Sequence, residues 1–346
     1  MSGPTVIIDG HNTFIRSYVT VPTLSVNGYR VGGVVGMIKS IKKIINDFKA
    51  SNVLVIWDGE GGSQRRKSIM SEYKAGRTVR LNREYDFGES AQDEMENMRW
   101  QRQLASDYLT LLGIPQVRTA GVEADDLMAY ISTELNHEGG CIIVTTDQDL
   151  LQLIREKSTD LSEIKVYSPI KKIMYDKQKF ISDYGVLPEN FRFVKALTGD
   201  GSDNIDGIKG FGIKTIVKLF PEFATRILDK KDLFEAAEKL QKSVVVKRLL
   251  EEKIKFEENL TLVDLSSPML SANAARQARV ALFKDIGCNE IDFCVRLMKD
   301  GVSFSDNNLF QTFKDFVIRR RNLLSVNEIV AQINADNNEL TTEDDK

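Results

Sequence analysis

The chain has 346 residues, is 42% hydrophobic and sets 47 Lys and Arg against 50 Asp and Glu, for a formal net charge of −3. That supports a sizeable core in one large or two smaller domains. With three cysteines and two histidines there is neither a disulfide framework nor a zinc spacing, and no apolar run of about 18 residues or basic leader points to a membrane or an export route; a soluble, reducing, cytoplasmic setting without a membrane partner is expected.

In chain order, 6–8 reads as a strand ending at Asp9-Gly10, and 34–48 carries apolar residues at helical spacing with lysines opposite. A second strand, 53–57, ends at Asp58-Gly59. Residues 100–112 read as a helix stopped by Gly113, residues 124–135 as another helix, and 141–145 as a third strand opened by the core thiol Cys141. This βαβ rhythm predicts an α/β fold with a parallel sheet and helices on both sides. The second half is mostly helical in pattern, with long segments at 233–259 and 309–333, and the polar, acidic end 334–346 is expected to be a disordered tail.

Nine acids stand out against that frame: Asp9, Asp58, Glu123, Asp125, Asp126, Asp147, Asp149, Asp200 and Asp203. Several follow strand runs, and in open α/β sheets ligands bind beyond the carboxyl ends of strands. Clustered carboxylates repel and shift one another's pKa. The usual compensation is a hard divalent cation such as Mg²⁺, which joins phosphate-bearing substrates to carboxylates. With these acids neutralised, the remaining charge turns mildly basic, so net charge does not exclude a nucleic-acid partner.

Two further segments carry chemistry. Between Ser63 and Arg83 there are seven Lys or Arg and one acid, a basic insertion suited to phosphates. After GDGSDN, the turn IKGFG leads into a helix bearing Lys214 and Lys218; its glycines permit close approach of a phosphate backbone.

These segments together resemble the 5′-nuclease, or flap endonuclease, superfamily, including bacteriophage 5′-3′ exonucleases of the phage RNase H kind and the 5′-nuclease domain of bacterial DNA polymerase I. The resemblance rests on IIDGHNTFIRSY, WDG followed by EYKAGR, GVEADDL, TTDQDL and LTGDGSDNIDGIKGFGIKT, five motifs in the family's order. It implies a PIN-like, mostly parallel sheet flanked by helices. It also implies a nuclease core at 1–200 with a basic helical arch at 60–105, and a helical region at 201–333 with a helix–hairpin–helix at 204–220.

Carried over, the resemblance places Asp9, Asp58, Glu123, Asp125 and Asp126 around one metal ion, and Asp147, Asp149, Asp200 and Asp203 around a second. Mg²⁺ is the expected metal, Mn²⁺ a substitute, and K⁺ an ion for the hairpin. Lys74 and Arg77 match the basic pair of the arch. With Asp9, Asp58 and Asp147 they make the catalytic set. Arg65, Arg66, Lys67, Tyr73, Lys74, Arg77, Lys195, Gly210, Gly212 and Lys214 are the expected DNA contacts. His11 stands outside the metal set because the family's site uses no imidazole.

The implied activity is two-metal hydrolysis at or near 5′ ends and 5′ flaps, in replication or repair, leaving a 5′-phosphate and a 3′-hydroxyl. The implied partners are DNA with a junction of single and double strand, an RNA–DNA hybrid, and a sliding clamp or single-strand-binding protein. A monomer is expected, in a bacterial host's cytoplasm if phage-encoded. The competing readings are a non-catalytic junction-binding protein on the same fold, a PIN-like ribonuclease, which is shorter and lacks the hairpin extension, and a Holliday-junction resolvase relative.

Overall fold

The computed structural model describes residues 3–76, 91–135 and 137–323. A six-stranded sheet lies at its centre in the order β3-β2-β1-β4-β5-β6, formed by β1 (Thr5–Asp9), β2 (Asn52–Trp57), β3 (Gln116–Arg118), β4 (Cys141–Val144), β5 (Ile164–Ser168) and β6 (Ile173–Tyr175). All neighbouring pairs are parallel except β5–β6. The predicted parallel sheet is present, with an antiparallel edge.

Side chains alternate between two cores, as a sheet covered on both faces requires. Val6 and Ile8 of β1, with Val53, Val55 and Trp57 of β2, enter one core. It is roofed by α1 (Gly10–Thr20), α2 (Gly32–Phe48) and α4 (Ala91–Leu111), together with α13 (Glu290–Asp300) and α14 (Leu309–Leu323). Ile7, Leu54, Ile56 and Ile143 enter the other core. Its cover includes α5 (Ala124–Glu134), α7 (Phe191–Thr198), α11 (Lys253–Val263) and α12 (Ala272–Phe283). Helices from the last third of the chain thus complete both cores.

The remaining elements are α3 (Gln64–Ile69), α6 (Lys177–Tyr184), the hairpin β7 (Gly199–Asp200) and β8 (Ile205–Asp206), α8 (Ile213–Leu219), α9 (Lys230–Lys239) and α10 (Val244–Glu251). The helix expected at 100–112 begins nine residues earlier, because polar residues hid its first turns. It ends at Gly113, where φ is +74° and an added Cβ would come within 2.6 Å of Val317. The segment 233–259 is three helices, broken where Ser243 and Glu252 leave the helical path. Residues 324–333 of the last expected helix, and the acidic tail, lie outside the described residues. No helix among the described residues is long and apolar enough to cross a membrane.

Candidate active site

Adjacent strands β2, β1 and β4 deliver Asp58, Asp9 and Asp147 to one edge of the sheet. Asp9 is the last residue of β1 and the N-cap of α1; it accepts a hydrogen bond from the Asn12 amide at 2.9 Å. Gly10 makes that sharp start possible, since a Cβ there would lie 2.8 Å from the Ile56 carbonyl oxygen. Thr145 donates its hydroxyl to Asp9 at 2.9 Å and accepts from the Asp147 amide at 3.1 Å, so one side chain ties two acids together. Asp58 accepts from the Ala124 amide at 3.0 Å, which fixes the start of α5 and with it Glu123, Asp125 and Asp126.

Crowding shows in the protonation of the acids. Burial pushes the Asp9 carboxyl up to about 7, the Asn12 and Thr145 hydrogen bonds oppose it, and the fields of Asp58 and Asp147 add to it. Asp125 is raised by burial and then by Asp147, against the pull of Lys74. Asp147 is likewise raised by burial. Burial and Asp147 raise Asp149 to about 7 despite Lys195. Asp200 differs: burial acts upward, but hydrogen bonds from Lys195 and Ser202 outweigh it and hold the carboxyl at about 2.

Three basic side chains enter this acid field. Lys195 on α7 bridges Asp149 at 2.7 Å and Asp200 at 2.5 Å. Lys74 donates to Glu123 at 2.7 Å and stands 4.0 Å from Asp203. The turn carrying Lys74 is clamped to the GDGSDN loop: the Lys74 amide donates to the Asp203 carbonyl at 3.0 Å, and the Asn204 side chain donates to the Glu72 and Ala75 carbonyls at 3.0 and 2.8 Å. Lys74 and Asn204 both hold positive φ, 54° and 59°, a conformation costing on the order of 1–3 kcal/mol each outside glycine. The clamp sustains that strain and places the ammonium over the acids.

The third basic residue corrects an expectation. Arg66, expected on DNA, is 3% exposed; it donates to Asp126 at 2.7 and 3.0 Å, to Glu123 at 2.5 Å and to the Leu262 carbonyl at 2.9 Å. Its guanidinium is fully occupied inside the protein. Asp126, expected at a metal, is 1% exposed and also accepts from the Met269 amide at 2.9 Å. Tyr73, expected among the DNA contacts with a core position as the alternative, is 3% exposed, with its hydroxyl 3.2 Å from Glu123. Neither ring nor guanidinium faces outward. Arg65, Arg66 and Lys67 stand together in the basic insertion; in the structure Arg66 is the one buried position of α3.

Of the remaining expected contacts, Arg65, Lys67 and Lys214 are exposed. Arg65 also donates to the Met269 carbonyl. Gly210 has φ +101°, and Gly212 is the N-cap of α8. Arg77 lies outside the described residues. Two clefts of about 650 and 730 Å³ meet at Asn12, Thr146 and Asp147. The first holds Asp9, Asp58, Asp125 and Lys74, with His11 and Arg16 in its wall. The second holds Lys195 and Asp200 beside Tyr184 and Phe191. Arg16 belongs to the IIDGHNTFIRSY motif but was given no site role from sequence. It sits one turn beyond Asn12 on α1, and its Nη1 is buried without a hydrogen-bond partner among the described residues. The signal available was the i, i+4 spacing of Asn12 and Arg16 on the helix that Asp9 caps.

The donor set is all carboxylate, without imidazole or thiolate, which suits a hard divalent cation. Among the described residues, no three His, Cys, Asp or Glu side chains are grouped so as to hold one ion. Lys74, Lys195 and raised carboxyl pKa values balance the charge in this arrangement.

Comparison with known proteins gives a consistent picture. Residues 4–185 match the family described as 5′-3′ exonuclease, N-terminal resolvase-like domain. A 5′-3′ exonuclease of Buchnera aphidicola subsp. Schizaphis graminum is 30% identical over 241 residues, covering 69% of this chain and 75% of the relative. That of Bacillus subtilis is 32% identical over 228 residues, covering 64% and 68%. The thermostable DNA polymerase I of Thermus thermophilus is 30% identical over 226 residues, 64% of this chain but 24% of the polymerase. Among solved structures, the flap endonuclease of bacteriophage T5 in a complex with DNA and metal ions shares the fold. Its TM-score is 0.58 at 22% identity, covering 86% of this chain and 98% of that one.

Proposed function

Because the chain belongs to the 5′-3′ exonuclease family, we propose that it is a divalent-metal-dependent 5′ nuclease that hydrolyses phosphodiester bonds at or near 5′ ends and 5′ flaps of DNA. The observation that carries this reading is the meeting of Asp9, Asp58, Asp125 and Asp147 in one cleft with Lys74. The flap endonuclease of bacteriophage T5 is solved with DNA and metal ions bound, which supports the same substrate and cofactor class here.

Asp9, Asp58, Asp125 and Asp147 would hold one or more Mg²⁺ ions, with Asp149, Asp200 and Asp203 on the side of the second cleft. Bound there, Mg²⁺ supplies Lewis-acid stabilisation of the charge that develops on the phosphate and lowers the pKa of water. The protein's own groups do the rest. Asn12 and Thr145 fix the Asp9 carboxylate in direction, and the Asp149 amide, donating at 2.9 Å, fixes that of Asp147. Lys74 sits where its ammonium reaches a phosphate held over the acids, and stabilises negative charge as it grows on the non-bridging oxygens. Arg66 neutralises Glu123 and Asp126 from beneath, so that the start of α5 does not add two more free charges to the cleft. Arg16 presents an unpartnered guanidinium nitrogen in the same wall, suited to a phosphate oxygen. The loop 208–212 and Lys214 would hold duplex backbone by phosphate contacts alone, so that specificity comes from the shape of the junction. An RNA–DNA primer as substrate and a replication partner belong to this same proposal.

The test is cleavage of a 5′-labelled duplex with a single-stranded 5′ flap, with Mg²⁺ or with EDTA. Metal-dependent cutting near the junction is expected. Tight binding without cutting in both conditions would replace this reading with a junction-binding protein.

A further inference from the structure

Helix α13 carries most of its apolar side chains on the side away from the core. Phe293 is its one buried residue. On the opposite face Ile291, Val295 and Met298 are 75%, 59% and 81% exposed, and Cys294 is exposed with them. The spacing i, i+3, i+4, i+7 makes these four one stripe, about 10 Å long. Val26, also exposed, extends it: its amide donates to the carbonyl of Gly301, the C-cap of α13, at 2.8 Å. A contiguous exposed apolar face of this kind marks an interaction site.

The chain itself supplies a matching face. Residues 324–346 follow α14, and the last turn of α14 is fastened to the loop that leads into α13. Arg320 donates to the Leu282 and Lys284 carbonyls at 2.8 and 2.7 Å, and Arg321 donates to Asp285 at 2.7 Å. The segment after Leu323 therefore starts near the first turn of α13, where Ile291 stands.

That segment carries the signature of a new helix start. Ser325 and Glu328 have the spacing of a capping box, and Leu324 and Ile329 that of a hydrophobic staple. Val326, Ile329, Val330 and Ile333 then repeat the i, i+3, i+4, i+7 pattern of α13. Eight helical residues from Val326 span about 12 Å, enough to cover the stripe. Direction fits as well. Helix α14 runs from Phe310, beside Phe293, back to the loop before α13. A reversal at Ser325 sends the chain forward along α13, as the short loop of an αα-hairpin does.

We propose that residues 325–333 form an amphipathic helix that docks on the Ile291–Met298 face of α13 in the same molecule. The proposal is independent of the nuclease reading.

The experiment uses the full chain with its native Cys294. Val326, Ile329, Val330 and Ile333 are replaced singly by cysteine, and Ala331, on the opposite side of the same stretch, is replaced as the control. Mild oxidation links two cysteines only where their Cα atoms come within about 7 Å. At least one of the four should form an intramolecular disulfide with Cys294, identified by peptide mass, and Ala331→Cys should form none. A second measurement needs no added cysteine. Thiol labelling of Cys294 is followed with Cys294→Ser as the background for Cys141 and Cys288. It should be about tenfold faster in Ile329→Asp/Ile333→Asp than in wild type, because a docked thiol reacts only from the open population. Disulfides forming only between molecules would overturn the proposal and give the face to a second copy of the chain. Ala331→Cys linking as well as the four apolar positions would overturn it in favour of an undocked tail. Equal labelling of wild type and the double variant would show that this segment does not cover α13.

Discussion

The two ends of the acid cluster handle the same problem in opposite ways. Beneath α5, Glu123 and Asp126 are 3% and 1% exposed and are neutralised by Arg66 from within the protein. At the strand edge, no arginine among the described residues is ion-paired with Asp9, Asp125, Asp147 or Asp149, and burial raises all four carboxyls. An acid with a permanent internal partner is part of the scaffold. An acid left to repel its neighbours is held ready for a charge that arrives from outside. Both places hold carboxylates; the partner decides the role.

The sharpest way to break this contrast is to remove an acid from each end. Asp147→Ala should lower cleavage by about 10³-fold or more, since several kcal/mol of transition-state stabilisation depend on such a ligand. Its melting temperature in EDTA should be unchanged or higher, because a repulsive charge is gone. A variant that cuts as well as wild type would remove Asp147 from the site. Arg66→Ala should do the reverse. It strands two buried carboxylates and should cost about 3–5 kcal/mol of stability, read by urea unfolding. Arg66→Ala unfolding like wild type while losing DNA affinity would restore the surface role expected from sequence.

The sequence showed the strand-edge end clearly and the α5 end poorly, for a physical reason. Asp9, Asp58 and Asp147 follow runs of β-branched residues, and a strand end specifies direction as well as position. The runs and βαβ spacing sufficed for the parallel sheet and for the edge at which the acids gather. Arg66 lies in SQRRKS, where three consecutive cations look alike, and nothing local shows that a six-residue helix turns the second one inward onto GVEADDL, 57 and 60 positions away. The clamp of Asn204 on the 72–75 turn was hidden for the same reason, since it joins segments 129 and 132 residues apart. Elements made of polar residues, such as the first turns of α4, or too short to show a period, such as β3, were also missed.

Lys74 sits between the two ends and sharpens the comparison. It binds Glu123 of the scaffold, and Asp125 is the main neighbour raising its pKa against the effect of burial. Lys74→Ala should slow single-turnover cleavage by about 10²–10³-fold, with a smaller loss of flap-DNA affinity. If the affinity loss accounts for the whole effect, Lys74 is a binding residue only.

The smallest effect isolates the electrostatics of the strand edge without any mutation. Asp9 and Asp149 rise from 3.8 to about 7 in the fold, so between those values the folded state holds more protons than the unfolded chain. Their contribution to stability is therefore full below about pH 4 and is lost as the pH rises through about 7. In EDTA, the melting temperature should fall between pH 5 and pH 8 for this reason, apart from any general acid effect below pH 5. Mg²⁺ binds ionised carboxylates and stabilises the folded state by mass action, so it should raise the melting temperature more at pH 8 than at pH 5. Equal Mg²⁺ stabilisation at both pH values would mean that the strand-edge acids are not the groups the metal meets, and the contrast between the two ends would lose its functional meaning.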